Sequence, residues 1–215
     1  MTKQHFSFKE IFMFGWAKTQ QHAWFIALTI IIMGIIMSAV SNVPLFGNLV
    51  SILVGLSVAS ISLTISRDHH FTFADLFTPF LSRNRVLKYV GLSLLYAVPA
   101  MIAVTMMATA MMMRNSSTAV VAAILLLLAI YIAIRFMFFS FVAIDHENAK
   151  FIELIKLSYR LTSANFVSVF IFFVLIVILN ILGSLVFVIG LFVTVPVSMF
   201  ATARLYNQIK DHHAE

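Results

Sequence analysis

The sequence predicts an all-α, polytopic integral membrane protein. It should have about six transmembrane helices arranged as three hairpins, each preceded by a cytoplasmic interfacial helix. Three observations carry this. The 215 residues are 62% hydrophobic and only 10% charged, against about 25% charged in a typical soluble domain. Apolar runs of about 20 residues, enough to cross roughly 30 Å of hydrocarbon as a helix, recur along the chain. Lys and Arg gather in alternate connections. The runs are apolar all round, whereas barrel strands would alternate polar and apolar residues.

The spans are expected in order. The first runs from about Ala23 to Val40 and the second from about Leu45 to Ile65. The third runs from about Val86 to Met112 and the fourth from about Thr118 to Phe141. The last two run from about Ala164 to Leu182 and from Leu185 to Leu205. The connections "SNVPLFGN" (41–48), "RNSS" (114–117) and "LGS" (182–184) are short, with Arg114 their single cation. Residues 1–22, 66–88, 145–163 and 206–215 are charged and hold Lys3, Lys9, Lys18, Arg67, Arg83, Arg85, Lys88, Lys150, Lys156, Arg160 and Lys210. Positive residues stay on the cytoplasmic side, so both termini are expected there. The N-terminus is too polar and aromatic for a signal peptide.

The charged connections share a pattern. "FKEIF" (8–12), "FADLF" (73–77) and "FIELI" (151–155) precede the first, third and fifth spans. The first and third copies extend further, "FKEIFMFGW" over "FIELIKLSY". One membrane domain, 1–215, is thus expected to contain three repeat units, 6–67, 71–145 and 149–210, related by an axis along the membrane normal. Pro79 interrupts the helix of the middle copy early. In the third copy Glu153, Lys156 and Arg160 form a polar stripe opposite Phe151, Leu154, Ile155 and Leu161, as expected of a helix lying in the interface plane. Trp16, Trp24 and Tyr159 suit an aromatic belt at that depth.

Small residues mark expected close crossings: Ser51, Gly55, Ala59, Ser62 and Ser66 in the second span, Gly190, Thr194, Ser198 and Ala201 in the last, Gly34 and Ser38 in the first. The fifth span, "VFIFFVLIVIL", is bulky throughout and is expected to face lipid. Pro99 and Pro196 should bend the third and sixth spans.

Four polar residues are the candidate lipid, anion or structural sites: Arg135, Asn180, Asp145 and Glu153. A charge at mid-bilayer costs at least about 2.5–3.5 kcal/mol. Arg135 therefore either faces protein near the midplane or snorkels to the headgroups. In the second case "FMFFSFVAI" continues as a tilted, interface-embedded turn, and Arg135 binds a lipid phosphate or pairs with Asp75 or Glu153. Asn180 is the other strongly polar side chain at depth.

Other chemistry is thinly represented. The chain has no cysteine and no HExxH, GxSxG or P-loop pattern. No catalytic residue, cofactor or metal is expected. Met107 and Met111, four apart, have a spacing that could hold Cu(I), but Met more often fills gaps in apolar helices. The adjacent pairs His69-His70 and His212-His213 do not converge on one helical face. The scattered net charge of +6 reads as topology and attraction to anionic lipid, not to nucleic acid.

"RFMFFSFVAIDHENAKFIELIKLSYRLTSANF" followed by "LGSLVFVIGLFVTVPVSMFATARLY" resembles a group of uncharacterised six-helix bacterial inner-membrane proteins. That group is related to the membrane domain attached to some glycerophosphoryl diester phosphodiesterases. The residues that carry the resemblance are Arg135, Asp145, Ser158 to Thr162 before Asn165, Gly190 with Pro196, and Ala203 with Tyr206. The resemblance implies a fold and an inner-membrane location, and no phosphodiesterase activity. The expected function is a non-enzymatic membrane component that binds anionic lipid headgroups or a membrane-protein partner. The alternative is a small transporter or channel built around Arg135, Asn180, Pro99 and Pro196.

Overall fold

A computed structural model describes residues 6–40, 44–113 and 116–214. Lys3, Arg114, Asn115 and residues 41–43 of the 41–48 connection therefore lie outside the described residues. The described chain is helical, with no strand. The helices are α1 (Phe8–Gln21), α2 (Ala23–Val40), α3 (Pro44–Ser66), α4 (Arg83–Met113), α5 (Ser116–Arg135), α6 (Phe139–Asp145), α7 (Phe151–Ala164), α8 (Phe166–Leu185) and α9 (Phe187–Ala214). Two 3₁₀ turns, Phe73–Leu76 and Thr78–Leu81, connect α3 to α4.

By length and composition, three stretches can cross a membrane: α4, the α5–α6 run and α8. A fourth is reached if α1 and Ala23–Ile36 count together, but these two meet at 81°. Such a bend suits a helix lying along a surface that turns into one crossing it. Part of α3, Val50–Ser66, is a shorter apolar helix. In α9 the apolar first half passes directly into a half carrying Arg204, Lys210 and Asp211. Both prolines sit inside unbroken helices, Pro99 in α4 and Pro196 in α9.

Two of the three segments expected to be interfacial helices are helical. α1 and α7 both begin at the Phe of the shared pattern, both run for 14 residues, and single residues, His22 and Asn165, join them to α2 and α8. Their buried positions coincide: Ile11, Gly15 and Thr19 in α1, and Leu154, Ser158 and Thr162 in α7. The middle copy forms no α-helix. Asp75 accepts from the backbone N–H and hydroxyl of Thr72, which closes a 3₁₀ turn. Pro79, lacking an N–H, cannot extend a helix. Leu76, the counterpart of Ile11 and Leu154, is nonetheless buried.

Burial concentrates at the end of the bundle where the charged connections gather. Its centre is α6, which one of the two readings of Arg135 had placed as an interface-embedded turn. Phe138, Phe139, Phe141, Val142 and Ala143 are all buried there, in one core cluster with Ala203, Leu205, Tyr206 and Ile209 of α9. The rings of Phe141 and Tyr206 stack at 5.3 Å. The chain passes from α5 to α6 through three-residue hydrogen bonds, Met137 N–H to Ile134 O and Phe139 N–H to Phe136 O. Toward the opposite end, Met111 to Met113, Val120, Ile124 and Leu185 are exposed, an apolar surface suited to lipid.

Small residues seat the closest crossings. A Cβ on Gly15 would lie 2.5 Å from the Val197 carbonyl oxygen and 3.4 Å from Ala201 Cβ, so only glycine lets α1 lie on α9. Gly183 and Gly190 do the same for α8 and α9: a Cβ on Gly190 would fall 2.1 Å from the Gly183 carbonyl oxygen. Gly34 departs from expectation, with nothing within 4 Å of its would-be Cβ. α8 departs by half. It exposes Phe170, Ile171, Ile178 and Ile181, while Val169 and Phe172 on its other face are fully buried.

Candidate functional site: a carboxylate hub and a boxed arginine

Asp145, the last residue of α6, is a hub. Its two carboxylate oxygens accept from the two terminal nitrogens of Arg67, both at 2.8 Å. Oδ2 also accepts from Lys210 Nζ at 2.6 Å and from the Tyr206 hydroxyl at 3.0 Å. Asn207 completes the network. Its Oδ1 accepts from Arg67 Nε and Nη2, and its Nδ2 donates to Ser66 Oγ. The Asp145 side chain is 7% exposed, against 31% and 37% for Arg67 and Lys210.

The geometry has a topological meaning. Arg67 follows α3, Asp145 ends α6 and Lys210 lies near the end of α9. These are the last residues of the three expected units. A short helix or turn packs on each of the three helices: the first 3₁₀ turn on α3, α7 on α6, and α1 on α9. The charge-assisted, bidentate bonds hold the three ends at one point. A polar cleft of about 440 Å³ opens beside them, lined by Ser66, Arg67, Asp68, Arg204, Asn207, Lys210 and Asp211.

Arg135, the last residue of α5, lies elsewhere on the same end. Its guanidinium packs over three rings, Phe166 at 4.4 Å, Tyr159 at 4.9 Å and Tyr131 at 5.1 Å. Nε donates to the Tyr131 hydroxyl at 3.0 Å and Nη1 to Ser163 Oγ at 2.8 Å. Ser163 and Phe166 flank the joint between α7 and α8, so Arg135 is level with that joint. No carboxylate pairs with it among the described residues, which corrects the expected partners. Asp75 is held by Thr72, and Glu153 accepts from the Lys150 N–H at 2.9 Å, capping α7. In both cases a partner three residues away wins over a distant cation.

Asn180 sits between α8 and α9. Its Nδ2 donates to Ile176 O at 2.9 Å and to Ser198 Oγ at 3.0 Å, while its Oδ1 is buried without a partner. It reads as a clasp between two helices. The four candidates thus occupy four separate places. Of the residues in this network, Arg67 and Lys210 were visible only as topology markers and Tyr206 only in the resemblance, while Asn207 was not singled out.

Three further contacts order the charged end. Lys88 Nζ donates to the carbonyls of Glu147 and Ala149, and Arg85 pairs with Glu147. The Ser82 hydroxyl and Arg85 hold the Glu147 carboxyl below its ordinary range. Lys18 pairs with Asp68. Among the described residues no group of His, Cys, Asp and Glu is placed to hold a metal.

No family model, curated protein or solved structure matches the chain.

Proposed function

We propose that the protein is a six-span, non-enzymatic membrane component whose cytoplasmic rim binds the phosphate of anionic lipids, with Arg135 as the contact. Both termini would face the cytoplasm of a bacterial cell. The observation that carries this reading is the boxed guanidinium. Every partner of Arg135 among the described residues is neutral, so its charge is uncompensated there. Its Nη2 group is unengaged among the described residues, and a planar fork of this kind suits a phosphate. The aromatic rings fix its direction without competing for the anion.

The surroundings agree. Lys156, Arg160 and Ser163 fall on one face of α7 at spacings of four and three and are all exposed. They extend the positive row from Arg135 along a helix whose other face, Leu154, Ser158 and Leu161, is buried. The acid in that row, Glu153, is already occupied by the helix start. The ring of charge at Asp145 is internally satisfied and reads as the fastening of the bundle, not as an ion path. That favours the binding reading over transport.

The test is native mass spectrometry of the protein extracted gently from its membrane, wild type beside Arg135→Leu. The expected result is co-purifying anionic phospholipid that falls by more than about fivefold in the variant, since a charge-assisted bond is worth about 1.5–3 kcal/mol. Equal lipid in both would overturn the reading.

A further inference from the structure

We propose that the cleft between α2, α3 and α9 binds a membrane-dissolved apolar molecule carrying a hydroxyl group. The cleft has a volume of about 320 Å³, at the lower end of the range for small-molecule pockets. Its walls are apolar, with Phe25, Ile30 and Met33 from α2, Val58 and Ile61 from α3, and Met199 from α9. Among the described residues no charged side chain lines it. A phosphate is thereby excluded, which separates this site from the rim around Arg135.

Thr29 makes the cleft more than a crevice. It lines the cleft and is 9% exposed, yet its hydroxyl has no hydrogen-bond partner. Other buried threonines here donate to the carbonyl four residues back, Thr19 to Gly15 at 2.8 Å and Thr162 to Ser158 at 3.1 Å. Leaving a buried hydroxyl unsatisfied is unfavourable. Thr populates more than one side-chain rotamer in a helix, so a turn about its first torsion presents the hydroxyl to an occupant. Pro196 also lines the cleft and has no N–H for the carbonyl of its own helix.

The shape of the site adds to this. Gly34 lines one end, and the space beyond its Cα is open. Phe71 and Phe73 pack on Phe25 at 4.4 and 4.6 Å, an aromatic cluster beside one wall. An occupant would place hydrocarbon along the walls and exchange a hydrogen bond with Thr29. A plain acyl chain fits the walls but leaves the threonine unpaired.

The experiment uses the full chain in phosphatidylcholine vesicles with two photoreactive probes, a diazirine-bearing hexadecanol and the matching diazirine-bearing hexadecane. The alcohol is expected to label α2, α3 and α9 saturably, about five- to tenfold above the alkane, the worth of one hydrogen bond. Gly34→Leu should fill the cleft and abolish that labelling. Thr29→Val, which keeps the shape, should make the two probes equal. Uniform labelling of all lipid-facing helices, or a preference that survives Thr29→Val, would overturn the proposal.

Discussion

Arg67 and Asp145 lie 78 positions apart and meet in a two-pronged pair, with both N–H···O distances at 2.8 Å. Lys210, from the other end of the chain, closes on the same carboxylate at 2.6 Å. One buried acid thus serves two cations from two helix ends. The cations would repel each other without it.

Asp145→Asn preserves shape and removes the charge. Breaking a buried pair costs about 3–5 kcal/mol. Because Arg67 and Lys210 are about a third exposed, solvent screens part of this, and about 2–3 kcal/mol is expected. In detergent the unfolding midpoint should fall by roughly 5–10 °C. Pairing Asp145→Asn with Arg67→Ala should cost less than the sum of the single losses. A midpoint within about 1 °C of wild type would show that the network contributes nothing to stability.

The glycines separate cleanly. Gly15→Ala places a methyl against the Val197 carbonyl, an overpacking expected to cost about 1–3 kcal/mol and to lift α1 off α9. Limited trypsin digestion should then cut faster at Lys9 and Lys18. Gly34→Ala meets nothing and should be neutral or stabilising by up to about 1 kcal/mol. Equal digestion of the two variants would contradict the close crossing.

What was legible in the residues, and what was not, follows from range. The starts of α1 and α7 were legible because a Phe, an acid and two apolar residues in a row are local information. The all-helical class and the apolar runs were legible for the same reason. The partners of Asp145 were not, because Arg67 and Lys210 join it only once three helix ends converge. For Arg135 the error ran the other way. Distant acids were expected, while Asp75 and Glu153 sit three residues beyond Thr72 and Lys150, the spacing of a capping box. That local claim was readable in the sequence. α6 escaped because an apolar run with no polar face does not say whether lipid or protein covers it.

Lys88 and Glu147 give a contrast between a fastening and an ornament. Lys88 holds two loop carbonyls, at 2.9 and 2.6 Å, whereas the Glu147 carboxylate pairs with Arg85 at an exposed position. Lys88→Met should destabilise by about 1–2 kcal/mol, and Glu147→Gln by well under about 1 kcal/mol. The Glu147 carboxyl titrates below its ordinary 4.5. Its contribution is therefore fully present above that value and lost as pH falls through the lower folded one. Glu147→Gln should therefore show a small, constant deficit in a denaturation series between about pH 6 and 8, the difference from wild type vanishing only under stronger acid. A larger loss for Glu147→Gln than for Lys88→Met would reverse this ranking.

The proposed six-span arrangement makes a prediction about sidedness that the absence of native cysteine makes simple to check. Single cysteines at Ser82, Glu147 and Asp211 should all react with a membrane-impermeant maleimide from one side. One at Ser184, exposed at the end of α8, should react only from the other. The reasoning is electrostatic: Arg67, Arg83, Arg85, Lys88, Lys150, Lys156, Arg160 and Lys210 would all share the first side, where cations are retained during insertion. The bend of 81° between α1 and α2 would put Lys9 and Lys18 there too. Labelling of Ser184→Cys from the same side as Asp211→Cys would mean that α9 does not cross. The hub at Asp145 would then fasten a bundle with fewer spans.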